Sequence, residues 1–274
     1  MTKKILISTG GSGGHVIPAI TIYNHLKNTH ETLISTDVRG LSYLDKNYNT
    51  VVINTPKLNN YLLLPFSFIK ILFLTIKSIL IIKKNNISIL ISTGGYMSLP
   101  LCLAAKLLGI KIFLIEPNMV LGRANKFFLN FSKKLICYSE NLINLPSGIN
   151  QKLAIIKPLI RKEYYETDNY KKQDNFFTIV IIGGSQGAKI FDEILNKSFV
   201  NIAKQVSIKI IHQTSEKNIN FLKNFYFKNN IESRVFSFDH SLNEVLKQSD
   251  LCITRAGASS LAELSLLNIP FIAI

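Results

Sequence analysis

With 274 residues and 47% hydrophobic side chains, the chain is long enough for two cores and too apolar for an extended or disordered protein. A formal charge of +15, from 32 Lys and Arg against 17 Asp and Glu, admits nucleic acid, an anionic membrane face or an acidic substrate as partner, or a lysine-rich background. Cys102, Cys137 and Cys252 are odd in number, far apart and set in apolar runs, which argues against a disulfide framework or a zinc site and for a reducing compartment. The opening "MTKK" leads through a short apolar run straight into glycines, leaving no signal-peptide core. β-branched runs then alternate with amphipathic stretches, the pattern of parallel sheets covered by helices. Strands are predicted at 3–9, 31–36, 50–54, 87–93, 110–116 and 134–139, and in a second series at 177–183, 207–213, 233–238, 250–255 and 270–274. Between the series, 160–175 is polar and aperiodic, and reads as a linker joining domains at 1–160 and 161–274.

Both series open with an apolar strand and a Gly-Gly-Ser turn, "GGSGGH" at 10–15 and "GGSQGA" at 183–188; a third turn, "STGGYMSLP" at 92–100, follows the strand at 87–93. Any one of these glycine turns could serve only to fold the chain back sharply. Three at the carboxyl ends of strands point to a ligand, because open α/β sheets bind ligands at that edge and a strand–turn–helix start is an anion cradle. The named nucleotide fingerprints do not fit: position 16 is Val16 where a third glycine is needed, and no G-x-x-x-x-G-K-[ST] occurs.

The stretch 64–84, "LPFSFIKILFLTIKSILIIKK", is apolar nearly all round, with Lys70, Lys77 and Lys84 on one helical stripe. The lysines interrupt it too often for a spanning helix and suit a helix lying in a membrane interface, with a helix packed on the sheet as the alternative. His15, closing the first glycine turn, is the best-placed general base; His25, His30, His212 and His240 have no such setting.

In order, "GGSGGHVIPA", "TGGYMSLP", "IEPNMVLGRANKFF", "GGSQGA" and "RAGASSLAEL..NIP" resemble the signatures of the bacterial peptidoglycan glycosyltransferases that add N-acetylglucosamine to undecaprenyl-diphosphate-linked muramyl-pentapeptide, and the resemblance runs from residue 3 to the last residue. It implies an α/β protein of GT-B architecture, two Rossmann-like domains facing across a cleft, the second incomplete because that family continues past Ile274 with a glutamine-rich loop and a closing helix. It implies inverting transfer from UDP-N-acetylglucosamine, with no cofactor and no metal, by a peripheral protein on the cytoplasmic face of the inner membrane, held to anionic lipid by 64–84. His15 is then the catalytic residue. Donor contacts fall to Ser12, Gly13, Gly14, Asn118, Arg161, Ser185, Gln186, Asp239 and the helix start Ala258, Ser259, Ser260, Leu261, Ala262 and Glu263, with Glu263 on the ribose hydroxyls. The acceptor side is Gly94, Gly95, Tyr96, Glu116 and Asn125. The arginine stands one residue further from its proline ("KPLIR") than the family's motif has it. Alternatives are a weakly active or inactive membrane-associated remnant that still binds donor, and a UDP-sugar 2-epimerase, against which the "GGSGGH" loop argues. No recognition motif or aromatic-basic interleaving supports nucleic acid as partner, and none is expected.

Overall fold

The computed structural model describes residues 3–56, 64–165, 175–183, 189–237, 239 and 241–274. They form two compact units, Met1–Leu159 and Ile160–Ile274. In the first unit β1 (Lys4–Ser8), β2 (Glu31–Thr36), β3 (Thr50–Val52), β4 (Ile89–Ser92), β5 (Lys111–Glu116), β6 (Lys134–Cys137) and β7 (Leu153–Ile155) make one parallel sheet in the order β3-β2-β1-β4-β5-β6-β7. Helices α1 (Gly13–Leu26), α2 (Val38–Leu41), α3 (Leu64–Lys84), α4 (Leu99–Leu107) and α5 (Arg123–Phe128) connect the strands. Burial on both sides explains the continuous apolar runs: Leu6 joins a core with Leu33, Leu90, Leu114 and Leu135, while Ile5 and Ile7 point the other way to Ala19, Tyr23 and Ile34.

The second unit repeats the plan with β8 (Phe177–Ile182), β9 (Ile208–Gln213), β10 (Glu232–Phe236), β11 (Leu251–Thr254) and β12 (Phe271–Ala273), all parallel, in the order β10-β9-β8-β11-β12. Its helices are α6 (Lys189–Ile194), α7 (Asn196–Ala203), α8 (Ile219–Lys228), α9 (Leu242–Lys247) and α10 (Ala258–Leu266). Ile179 and Ile181 face one core, Val180 and Ile182 the other.

The observed strands are mostly shorter than predicted by a residue or two at their ends, and β7, only three residues of "LAI", carries too little pattern to be read from sequence. The predicted linker also differs at its head. Tyr164 is fully buried in the core of the second unit and Arg161 is paired there, so 160–165 is part of that unit. Polar composition marks a segment as non-periodic; it does not mark it as unpacked.

Helix α3 turns an unusual face inward. The buried stripe is Ser67, Ile71, Leu74, Thr75, Ser78 and Ile82, packed beside α4 and spaced three and four residues apart. Thr75 and Ser78 satisfy their hydroxyls on the carbonyls of Ile71 and Leu74 within the helix. Phe66, Phe68, Ile69, Leu72, Phe73, Ile76 and Leu80 are exposed, with Lys70, Lys77 and Lys84 along one border of that face. Among the described residues α3 is the one helix long and apolar enough to cross a membrane, with a third (33%) of its apolar window buried against the protein.

Candidate active site

In both sheets the strand order reverses beside the first strand of the unit: β1 lies between β2 and β4, and β8 between β9 and β11. At such a reversal the connections leave to opposite sides and open a crevice at the carboxyl ends of the strands. The first and third glycine turns follow β1 and β4, so the topology brings them together.

His15 occupies the first turn of α1, and its Nδ1 lies 2.7 Å from the carbonyl of Thr93, the residue after β4. A carbonyl only accepts, so Nδ1 carries the proton and Nε2 of the neutral ring keeps its lone pair. Gly95, at φ +77°, places its backbone against that ring; a Cβ there would stand 3.5 Å from Nε2. Ser12 is the N-cap residue of α1, its carbonyl accepting from the amides of His15 and Val16, and the amides of Gly13 and Gly14 begin the helix where no intrahelical acceptor exists.

Glu116, at the end of β5, is buried. It accepts from the Asn118 side chain (3.2 Å) and backbone (3.3 Å) through Oε1, and from the Gly122 amide (2.8 Å) and Asn125 (3.0 Å) through Oε2. Asn125 in turn lies against Gly94, where a Cβ would come within 3.0 Å of its Nδ2. The contacts therefore link His15 to the third turn, and the third turn to Asn125, Glu116 and Asn118. Tyr96 opens the short helical turn that follows.

Two residues at this edge escaped the sequence reading. Asp37 follows β2 and is buried; its Oδ1 accepts from the amides of Gly11 (2.8 Å) and Gly40 (2.9 Å), and its Oδ2 from Arg39 Nε (2.9 Å). Burial alone would raise this carboxyl, but the two amides and the guanidinium outweigh it and hold it below the usual range. The signal that could have found the pair is "TDVRG", an acid–base doublet at the end of the strand beside β1.

In the second unit the helix start Ala258 to Ala262 is half-buried, capped by Gly257, with the carbonyl of Gly257 accepting from Leu261 (3.0 Å). Glu263, 4% exposed, accepts from Arg161 Nε at 2.9 Å, so the shifted arginine reaches this carboxylate. Burial pushes the Glu263 carboxyl up, and hydrogen bonds from Arg161 and Tyr164 offset only part of that. Asp239 is used by its own neighbourhood: Oδ2 accepts from Arg234 and Oδ1 from the amide of Ser241. Ser185 and Gln186 lie outside the described residues, as does His240.

His212 does have a setting, though not a catalytic one. It is fully buried with Nδ1 2.8 Å from the Tyr226 hydroxyl and Nε2 3.2 Å from Asp192 Oδ1; the other carboxylate oxygen, Oδ2, accepts from Thr214 and Asn218. Burial raises the Asp192 carboxyl, and these partners more than reverse it. Burial also pushes the Cys102 and Cys252 thiols up to about 12, so neither offers a thiolate at neutral pH.

These shifts set an acid limit. Asp37 and Asp192 have folded-state pKa values below their unfolded ones, so they add stability above about pH 3.9 that is lost as pH falls through the lowered values. Glu263, raised, works in the opposite sense: its contribution is complete at low pH and fades as pH rises through its folded value. Thermal midpoints measured from pH 5 to pH 2 should fall less steeply in Asp37→Asn, which keeps an oxygen for the Gly11 and Gly40 amides; an unchanged slope would remove Asp37 from the acid limit.

Residues 5–137 match the glycosyltransferase family 28 N-terminal domain and residues 178–274 its C-terminal domain. A Pelagibacter ubique protein named UDP-N-acetylglucosamine--N-acetylmuramyl-(pentapeptide) pyrophosphoryl-undecaprenol N-acetylglucosamine transferase is 48% identical over 100% of this chain and 78% of its own length. The chain belongs to glycosyltransferase family 28. A Rickettsia felis protein of the same name is 33% identical over 99% of the chain and 79% of its own length. Among solved structures, the family 28 fold seen here is shared with Acinetobacter baumannii MurG, at a TM-score of 0.74 and 22% identity, covering 100% of this chain and 78% of that one.

Proposed function

We propose that the chain transfers N-acetylglucosamine from UDP-N-acetylglucosamine to undecaprenyl-diphosphate-linked muramyl-pentapeptide, with inversion at the anomeric carbon. The observation that carries this reading is identity at 48% across the whole chain with a relative named for that reaction. The geometry of His15 is what a base for it requires: a ring fixed through Nδ1, with Nε2 left to accept. The muramyl 4-hydroxyl oxygen attacks the anomeric carbon, its proton passes to His15 Nε2, and the bond to the diphosphate breaks with the electron pair leaving on UDP. Free amides at Gly13 and Gly14 and at the start of α10 suit oxygens that gain charge as UDP departs. Glu263 accepts from the ribose hydroxyls, and Asn118, Ser185 and Gln186 assist on the donor side. Gly94, Gly95, Tyr96, Glu116 and Asn125 form the acceptor side. The test is transfer of labelled sugar from UDP-N-acetylglucosamine to a short-chain lipid-linked muramyl-pentapeptide, with the product's anomeric configuration read by NMR. Label appearing only as free sugar, or a retained configuration, would overturn the assignment.

The exposed face of α3 supports a second element of the reading, that the protein works as a peripheral protein on the cytoplasmic face of the inner membrane. Seven large apolar side chains bordered by three lysines match an interface between acyl chains and anionic headgroups. Each lysine near anionic lipid contributes about 1 kcal/mol, so replacing Lys70, Lys77 and Lys84 by Glu should weaken binding to phosphatidylglycerol vesicles by on the order of 10²-fold or more. Vesicle sedimentation reads the effect; undiminished binding of the triple variant at low salt would exclude this helix as the contact.

A further inference from the structure

Arg39 has no part in the site as laid out above, yet it is held over it. Its guanidinium donates through Nε to Asp37 and through Nη2 to the Tyr96 hydroxyl. A Cβ on Gly11 would stand 3.5 Å from Nη2, so the charged group lies directly over the first glycine turn and beside the third. The side chain is 45% exposed, and among the described residues Nη1 has no partner. Asp37 complicates this edge for an anion: it takes the Gly11 amide out of the cradle and sets a carboxylate beneath the turn. A phosphate oxygen arriving on the acceptor side, beside Tyr96, would meet that negative charge unless a cation covers it. Arg39 covers it with Nε, spends Nη2 on the Tyr96 hydroxyl and the Met97 sulfur, and keeps Nη1 to donate charge-assisted hydrogen bonds to a phosphate oxygen.

We infer that Arg39 binds the diphosphate of the acceptor, in a position fixed by Asp37 and Tyr96. The inference rests on the transfer reaction proposed above and adds to it a specificity-determining cation. Asp37 is then a positioning residue, acting on the acceptor through Arg39 and through the Gly11 amide. A carboxylate of the pentapeptide shares the required charge, so the test must separate the two.

The experiment pairs two soluble acceptors, a short-chain polyprenyl-diphosphate muramyl-pentapeptide and the same muramyl-pentapeptide with an uncharged group in place of the lipid diphosphate. Arg39→Gln should raise KM for the diphosphate acceptor about 10- to 100-fold, as expected for hydrogen bonds to a charged group, with kcat and donor KM changed less than about threefold. It should leave the uncharged acceptor's KM unchanged, and Arg39→Lys should recover part of the loss by keeping the charge without the guanidinium. An equal penalty on both acceptors would assign Arg39 to the peptide and overturn the inference, as would no penalty on either or an effect confined to kcat. Should the wild-type chain transfer to neither acceptor, the proposed reaction itself fails. Fluorescence polarisation with a labelled diphosphate acceptor then reads Arg39 directly, and equal affinity in wild type and Arg39→Gln overturns it.

Discussion

Replacing His15 by alanine is expected to slow sugar transfer by about 10²- to 10⁴-fold while leaving UDP affinity nearly unchanged, because a positioned general base contributes that much to a proton transfer and little to holding the donor. Two observations make the effect specific to the ring. Nδ1 is committed to the Thr93 carbonyl, and Gly95 approaches so closely that the imidazole is packed against backbone. His15→Gln is therefore the sharper variant: its amide NH2 can keep the Thr93 bond, yet it cannot take a proton at neutral pH. If His15 only braces the third glycine turn, the glutamine variant should retain most of the rate. If it is the base, both variants should fall together, and the pH–rate profile of kcat/KM should lose its acid limb. Single-turnover rates close to wild type in both would remove His15 from the chemistry.

Glu263→Ala is expected to act twice. The carboxylate sits in the second unit's core, and its partner Arg161, with 19% of its side chain exposed, also donates to the Tyr164 hydroxyl (2.6 Å) and lies 3.4 Å from the half-exposed Glu163. Removing Glu263 leaves the Arg161 charge with only the longer Glu163 contact and the Tyr164 hydroxyl, and should cost stability, with about 3–5 kcal/mol, the loss for a fully uncompensated buried charge, as the upper bound. Loss of hydrogen bonds between a charged group and the ribose should also weaken UDP binding by about 1.5–3 kcal/mol. Glu263→Gln separates the two effects, since an amide oxygen still accepts from Arg161 and fills the same volume. Its stability should lie closer to wild type while UDP affinity, measured by calorimetry, stays reduced. Unchanged UDP affinity in both variants would place the ribose contact elsewhere, and unchanged stability in the alanine variant would show that the pair contributes nothing net.

The sheet strands were legible because a strand buried on both faces must be apolar along its whole length; "KKILIST" and "FTIVIIG" have no other easy reading. The turns at Gly10 to His15 and Gly94 to Tyr96 were legible for a related reason, since glycine before a helix start is a local requirement written in the local sequence. What sequence could not show was pairing across distance. Arg161 and Glu263 lie 102 residues apart and Asp37 and Gly11 lie 26 apart, and neither spacing carries a periodic signal. The one-residue shift of Arg161 looked like a break in the motif, whereas a long flexible side chain reaches its partner from the shifted position. His212 was passed over because an apolar strand around a histidine looks like plain core; its polarity is balanced by Asp192 and Tyr226, which come from other elements.

Helix α3 also partitions how freely its positions can change. Phe66, Phe68, Phe73 and Leu80 project away from the fold, so exchanging them for other large apolar residues should scarcely touch folding, and what constrains them is the surface they meet. Ser67, Thr75 and Ser78 sit where helix meets protein, and an added methylene or two there has no room, at a cost of about 1–3 kcal/mol. Under the membrane contact proposed above, such a helix can drift in composition on its outer side, from aromatic to aliphatic, in step with the lipids of its host, while its inner side stays small.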